Sequence, residues 1–142
     1  MASDFSRFTE GARQALAESQ RIASEIYGRT SITSGYLCES LLADPLVIAY
    51  VKQNKFDPEV LLKRVRTLNS LGMNEGNREE GNISLATRTR SVIVKMVEIG
   101  KVESADLFTT VHMLKGMRAV DPIIESVVFS DFERGIHRER EG

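Results

Sequence analysis

Apolar residues recur every three to four positions through the first half of the chain, and this spacing predicts consecutive amphipathic helices. Thr9 begins the first helix and Gly28 ends it. Prolines after aspartates, at Asp44-Pro45 and Asp57-Pro58, open two further helices, because the first turn of a helix does not use the N–H that proline lacks. The four predicted helices cover about residues 9–28, 34–42, 45–53 and 58–69.

The second half of the chain shows the same kind of spacing after a polar interruption. Residues 70–82, SLGMNEGNREEGN, have no apolar period and predict a flexible linker. Helical stripes then run through residues 85–99 and 107–117, and a last one lies in DPIIESVVFSDF, residues 121–132. The start of the middle stripe is open to two alignments, one of which makes Ser104 the N-cap.

The two halves resemble each other. Asp44-Pro45 and Asp121-Pro122 stand 77 positions apart, and at the same offset Arg13 matches Arg90. A repeat of this length predicts two similar four-helix units related by a pseudo-two-fold axis. We therefore predict one all-α domain over residues 1–142, with repeat one at about 5–69, linker 70–82, repeat two at about 83–135 and a charged tail at 136–142.

Composition narrows the functional class. The chain is 42% hydrophobic and 27% charged with a net charge of −1, so no basic surplus favours nucleic acid or an anionic membrane. No apolar stretch approaches the roughly 18 residues of a membrane span. The N-terminus MASDFSRF shows no basic-then-apolar leader, and the one cysteine, Cys38, fits a reducing compartment. These features predict a cytoplasmic protein with a buried, inert thiol.

The sequence offers little catalytic chemistry. It contains no GxxxxGK[ST] phosphate loop, so we expect no ATP hydrolysis. The two histidines, His112 and His137, have no cysteine or carboxylate at a spacing typical of zinc ligands. We therefore expect no enzyme, no metal and no cofactor, and we interpret His112 as a half-buried packing residue.

The opening residues FSRFTEGARQAL resemble the start of the Clp N-terminal domain. The pattern of Phe5, Phe8, Thr9, Ala12 and Arg13 is similar to that of the ClpC branch. Each repeat of that family continues into an Ile-Gly-Thr-Glu-His-Leu-Leu motif, which is similar to residues 32–37, ITSGYL, and 108–114, FTTVHML. The resemblance covers roughly residues 5–135 and implies a double repeat of four helices, in agreement with the internal repeat.

The resemblance also implies a function. In the family this domain is tethered above a hexameric AAA+ unfoldase and receives adaptors or tagged substrates. In the ClpC branch phosphorylated arginine binds near the start of the second helix of each repeat, where the motif glutamate pairs with the guanidinium. Gly35 and Val111 replace that glutamate here. Loss of a charge-assisted pair of about 1.5–3 kcal/mol predicts weak or absent phosphoarginine binding.

The hydroxyls at these helix starts have two interpretations. Free N–H groups and hydroxyls at a helix N-terminus suit an anion. Alternatively, Ser34 and Thr110 are N-caps, each stabilising its helix by about 1 kcal/mol. Phe8 has a similar alternative as a core or staple residue, whereas Phe5, nearer the terminus, is a better candidate for an exposed contact.

The candidate site is a peptide or adaptor groove between the repeats, lined by both sets of helix starts. Its candidate residues are Phe5, Phe8, Arg13, Thr33, Ser34, Gly35, Tyr36, Leu85, Arg90, Thr110, Val111 and His112. The predicted function is a non-enzymatic module that docks adaptors or substrate proteins for a Clp-type unfoldase or protease, as a detached N-domain or a stand-alone homologue. The alternative is a small helical regulatory protein, for example a homodimer, unrelated to Clp delivery.

Overall fold

The apolar stripes fold as helices throughout the residues that the computed structural model describes, 6–71 and 84–130. The helices are α1 (Glu10–Arg21), α2 (Ser34–Leu41), α3 (Pro45–Gln53), α4 (Pro58–Ser70), α5 (Thr87–Val102) and α6 (Thr110–Val120). Two π-helical segments, Ile22–Ile26 and Ile124–Val128, and two short strands, β1 (Ser31–Ile32) and β2 (Ser84–Leu85), complete the described elements. The predicted all-α class is confirmed.

Polar N-caps fix most of the helix starts. Thr9 accepts a hydrogen bond from the N–H of Ala12, and Asp57 accepts one from the N–H of Glu59. Pro45 and Pro58 occupy the first position of α3 and α4, as the sequence predicts. The π-helical segment that follows α1 ends before Gly28, whose φ of 64° lies in the left-handed region that glycine adopts without strain.

Two expectations about helix starts are wrong. The N-caps of α2 and α6 are Thr33 and Thr109, which accept from the residue three positions on, and not Ser34 and Thr110. The alternative start at Ser104 is also wrong, because α5 continues to Val102 and Ser104 itself has a φ of 58° in the turn that follows.

One hydrophobic core joins both repeats. Its buried residues come from the segments before and within α1, from every later helix and from the second π-helical segment. Phe8 and Phe108 meet edge to face across the repeats, with ring centroids 6.2 Å apart, and Phe56 meets Phe129 at 5.5 Å. A smaller cluster of Ile22, Ala23, Ile32 and Tyr36 lies beside it. The core therefore binds the halves into one unit.

Backbone hydrogen bonds join the two repeats through two short parallel pairings. Ile32 of β1 pairs with Leu85 of β2, while Phe8 forms an isolated parallel bridge with Phe108. Each bridge joins the start of one repeat's first helix to the segment before the other repeat's second helix. The N–H of Thr9 donates to Phe108 (3.0 Å), and the N–H of Ala86 donates to Ile32 (3.1 Å). This exchange is what a pseudo-two-fold axis requires.

The repeats are not identical in the described residues. After Asp121-Pro122 the chain forms the second π-helical segment where repeat one has the longer helix α3. The predicted linker beyond residue 71, the end of the last predicted stripe beyond residue 130 and the charged tail lie outside the described residues. Their boundaries stay predictions. Within the described part of the chain, no helix is long and apolar enough to cross a membrane.

Candidate functional site

The helix-start hydroxyls reach across the pseudo-two-fold axis. Ser34 at the start of α2 donates to Asp121 Oδ2, and Thr110 at the start of α6 donates to Asp44 Oδ2 at 2.8 Å. Each hydroxyl belongs to the second helix of one repeat, and each carboxylate belongs to the Asp-Pro pair of the other. The hydroxyls that could seat an external anion therefore bind an internal one.

The same carboxylates cap the helical segments that they precede. Asp44 Oδ2 accepts from the N–H groups of Leu46 (3.0 Å) and Val47 (3.3 Å). Asp121 Oδ1 accepts from the N–H groups of Ile123 (3.0 Å) and Ile124 (3.1 Å). Backbone N–H groups at a helix start favour the ionised carboxylate. Each aspartate thus fixes a helix start in its own repeat and a helix start in the other.

The two aspartates differ in what covers them. Arg88, in the first turn of α5, places Nη1 3.6 Å from Asp121 Oδ1, and Asp121 is fully buried. The residue 77 positions earlier is Gly11, in the first turn of α1. A Cβ at Gly11 would lie 3.4 Å from Asp44 Oδ1. Since glycine has no side chain, only backbone faces this carboxylate from α1, and Asp44 is half-buried. The guanidinium of Arg88 therefore lies against the aspartate of repeat two, whereas a glycine stands at the equivalent position beside the aspartate of repeat one.

Most predicted site residues around α2 lie under the surface. Every residue of α2 is buried, which includes Ser34, Gly35 and Tyr36, and its N-cap Thr33 is buried as well. The Tyr36 ring stacks on Tyr27 with centroids 5.1 Å apart. The structure brings these residues together as interior packing between α1, α4 and the second repeat.

The other predicted residues are more varied. Phe8 and Thr110 are buried, whereas Arg13 and Arg90 are exposed and Val111 is half-buried. The backbone of Leu85 lies in β2, but its side chain falls outside the described part of the structure, as does all of Phe5.

His112 has defined partners on both ring nitrogens. Its Nδ1 accepts from the N–H of Thr109 at 3.0 Å, which places the proton on Nε2, 2.9 Å from a carboxylate oxygen of Glu103. Lys115 donates to the other oxygen of Glu103 at 2.8 Å. Lys115 first and His112 second hold the pKa of Glu103 below its ordinary value. This arrangement ties α6 to the end of α5, and the packing role predicted for His112 gains a capping role.

A buried carboxylate that the sequence did not single out lies on α2. Glu39 accepts from the Tyr27 hydroxyl (3.0 Å), from the Asn69 amide (3.0 Å) and from Arg66 (3.2 Å). Burial, and then the hydrogen bond to Glu39, raises the pKa of Tyr27 to about 12. Asn69 also donates to the carbonyl of Gly35 at 3.1 Å. Both oxygens of Glu39 have local donors, whereas the buried Oδ1 of Asn69 has no hydrogen-bond partner in the described structure, and the cluster anchors α2 against α4.

Cys38 carries no reactive chemistry. Its thiol is fully buried in the main core, and burial raises its pKa far above the ordinary value, so the thiolate is suppressed. No group of three histidine, cysteine or acidic side chains among the described residues could hold a metal ion.

The residues that sequence reasoning missed are Gly11, Asp44 and Leu46, which with Thr110 form what we call the open helix-start site. Leu46, two positions after Asp44 in the chain, is 56% exposed. The signal that could have found the site is the repeat offset itself. At an offset of 77, Gly11 aligns with Arg88, so a residue without a side chain stands in one repeat where the other has a guanidinium.

Known structures that resemble this chain share its fold, whereas no match to its sequence was found. No protein-family model and no curated protein sequence matches the chain. The solved N-terminal domain of the chaperone ClpD from Arabidopsis thaliana aligns with 91% of this chain and 86% of its own, at 21% identity and a TM-score of 0.67. The N-terminal domain of the ClpV1 ATPase from E. coli EAEC aligns with 87% of this chain and 74% of its own, at 13% identity and a TM-score of 0.66.

A further solved structure is described as a peptide from the EAEC T6SS Sci1 SciI protein. It aligns with 94% of this chain and 89% of its own, at 14% identity and a TM-score of 0.65, and represents a neighbour of this fold bound to a peptide. At these identities the likeness concerns the fold. The chain has the fold of the N-terminal domains of Clp ATPases.

Proposed function

We propose that this chain is a protein-interaction module of the Clp N-domain type, which docks adaptor or substrate proteins for a Clp-type AAA+ unfoldase in the cytoplasm. The observation that supports this most is the alignment of more than four-fifths of the chain with N-terminal domains of Clp ATPases, together with a peptide-bound neighbour. The opening FSRFTEGARQAL favours the ClpC branch. Clp ATPase or protease subunits are further candidate partners.

The docking surface that we propose is the open helix-start site. The equivalent surface of the other half is closed, because α2 is entirely buried and Arg88 covers Asp121. Around Asp44, by contrast, Gly11 has no side chain to cover the carboxylate, and Leu46 contributes an exposed apolar residue. Ligand sites commonly combine apolar surface with a few fixed polar groups.

Phosphoarginine is not the ligand that we propose for the equivalent helix starts. Gly35 is buried, Val111 is apolar, and the hydroxyls of Ser34 and Thr110 already donate to internal carboxylates. Calorimetric titration with phosphoarginine should give no binding tighter than millimolar, and a micromolar affinity would contradict this part of the proposal.

Photo-crosslinking tests the docking surface. A benzophenone amino acid is placed at Leu46, and a control variant carries it at Lys63, an exposed position on α4. Both proteins are irradiated in native lysate, with and without an excess of the unlabelled chain. We expect the Leu46 variant to capture a Clp subunit, or a protein that a Clp protease degrades, and the excess to abolish this. Equal capture from both positions, or capture of a second copy of this chain alone, would overturn the proposal.

The proposal includes no catalysis by the chain itself. The purified protein should show no ATPase activity, because its sequence has no phosphate loop. ATP turnover that follows the protein through purification would contradict a purely binding role.

A further inference from the structure

We infer that Asp44 Oδ1 in the open helix-start site is a subsite for the guanidinium of an arginine side chain supplied by the docked partner. The inference rests on the proposed function and specifies the chemistry of what docks. It follows from a difference between two positions that the pseudo-two-fold axis makes equivalent.

The second repeat supplies an internal template. There the carboxylate of Asp121 caps the segment after it, accepts from Ser34 and has the guanidinium of Arg88 at 3.6 Å from Oδ1. Arginine suits this position because its planar fork matches a carboxylate and stays charged at all physiological pH values. The guanidinium comes from the first turn of the first helix of that repeat.

The first repeat has the same carboxylate without the guanidinium. Asp44 Oδ2 accepts three hydrogen bonds, from Leu46, Val47 and Thr110. Among the described residues none donates to Oδ1, and the first turn of α1 presents Gly11 to that oxygen. An ionised carboxylate offers about four acceptor sites over its two oxygens, so Oδ1 can still accept a hydrogen bond from an incoming donor.

Neither packing nor backbone conformation requires a glycine at position 11. Its φ is not in the left-handed region, and a Cβ there would meet Asp44 and Thr110 only at 3.4 and 3.8 Å, which is ordinary contact. Glycine within a helix costs about 0.5–1 kcal/mol relative to alanine. The fold would tolerate a side chain at this point, and its absence leaves Asp44 accessible.

The neighbours of Asp44 suit an arginine rather than a simple cation. Leu46 donates its N–H to the carboxylate and is itself exposed, so its apolar side chain is available for the aliphatic stem of an arginine to pack on. On α6, Lys115 is paired with Glu103, and Arg118 is paired with Glu125. The site therefore combines the half-buried carboxylate of Asp44 with the exposed apolar surface of Leu46.

Nuclear magnetic resonance of the 15N-labelled 142-residue chain tests the subsite. The probe is N-acetyl-arginine N-methylamide, and N-acetyl-citrulline N-methylamide is its neutral isostere. We expect the arginine probe to shift the amide signals of Gly11, Leu46 and Thr110, and the citrulline probe to bind at least about tenfold more weakly, since it lacks the charge-assisted pair. Equal shifts with the two probes, or shifts confined to other residues, would overturn the inference.

Two variants with the same added charge sharpen the test. Gly11→Arg places an internal guanidinium as Arg88 does in the other repeat, and should abolish probe binding in a folded protein. Gln53→Arg adds the same charge at the far end of α3 and should retain it. Undiminished binding to Gly11→Arg would overturn the inference.

The subsite and the proposed function can fail separately. If the Leu46 crosslink captures a Clp-associated partner equally well in a Gly11→Arg background, the subsite is wrong and the proposed function stands. If the arginine probe binds as expected but no such partner is captured, the subsite stands and the proposed function is wrong.

Discussion

At the scale of single residues, the two crossed hydrogen bonds are chemically alike but lie in different surroundings. Asp121 is fully buried, whereas water can reach Asp44. A buried carboxylate that loses a donor cannot replace it from solvent, and hydrogen bonds to charged groups contribute about 1.5–3 kcal/mol. The hydroxyl of Ser34 should therefore contribute more to stability than that of Thr110.

We predict that Ser34→Ala lowers the free energy of unfolding by about 1.5–3 kcal/mol, because it leaves the Asp121 carboxylate short of one donor. Thr110→Val keeps the side-chain shape and should cost only about 1 kcal/mol, since water can bind Asp44 instead. Urea denaturation followed by far-ultraviolet circular dichroism gives both values. Equal losses, or a larger loss for Thr110→Val, would contradict the role of burial.

The same two positions show what sequence alone leaves undecided. Each helix start carries two adjacent hydroxyl residues, Thr33-Ser34 and Thr109-Thr110, and either member could cap the helix. The structure assigns the first as the N-cap, because the second is used by an aspartate of the other repeat. Asp121 is 87 residues from Ser34, and Asp44 is 66 residues from Thr110, so no local pattern contains the information.

Tyr27 provides a prediction about pH. Its pKa is raised to about 12 by burial first and then by the hydrogen bond to Glu39. A folded-state pKa above the unfolded value of about 10 means that this stabilisation is complete below pH 10 and is lost as the pH rises through about 12. The stability difference between wild type and Tyr27→Phe should therefore be constant up to about pH 10 and shrink above it.

Phenolate absorbance checks this directly. A tyrosine should ionise near pH 12 while circular dichroism still shows a folded protein, and the absorbance change near pH 12 should be smaller in Tyr27→Phe. Ionisation of all tyrosines near pH 10 in the folded chain would rule out the shift.

At the scale of whole elements, glycines allow α5 to approach closely both α6 and the segment before α6. A Cβ at Gly116 would lie 2.9 Å from the backbone N of Met96 and from the carbonyl oxygen of Val92. A Cβ at Gly100 would lie 2.4 Å from the ring of Phe108. Backbone cannot rotate away as a side chain can, so contact between these helices depends on Gly116.

We predict that Gly116→Ala destabilises the protein by about 1–3 kcal/mol, since the helices must separate to admit the methyl group. Gly11→Ala is the matched control, because its Cβ would meet only ordinary contacts. It should be neutral or stabilising by up to about 1 kcal/mol through higher helix propensity. Thermal unfolding of both variants beside wild type measures the difference, and a Gly116→Ala variant as stable as Gly11→Ala would show that the helices have room.

Sequence periodicity located the helices but not their local geometry. The apolar spacing predicted one continuous helix from Thr9 to Gly28, and the structure ends it in the π-helical segment Ile22–Ile26, where the N–H of Tyr27 bonds to Ile22. A π-helical turn holds one more residue than an α turn and so rotates the side chains that follow. Tyr27 consequently reaches Glu39 and stacks on Tyr36, contacts that a 3.6-residue period does not contain.

At the scale of the molecule, the repeat offset predicted which segments correspond but not that they would exchange contacts. Phe8 pairs with Phe108, and Ile32 pairs with Leu85, so each half completes the other. The shared core has the same consequence, since buried side chains from both repeats form a single cluster. Neither half buries its apolar surface alone, and the two should unfold together.

Thiol labelling tests this cooperativity in the intact chain. Cys38 reports on repeat one, and Val92→Cys in a Cys38→Ala background reports on repeat two, because both side chains are fully buried. We expect the free energy of exposing each thiol, from labelling rates in urea, to equal the global free energy of unfolding of the same variant by circular dichroism. That equality follows from all-or-none unfolding of a single core. If one thiol reacts at clearly lower urea than the circular dichroism transition of its own variant, the repeats unfold separately, and the crossed contacts dock two independent units rather than forming one.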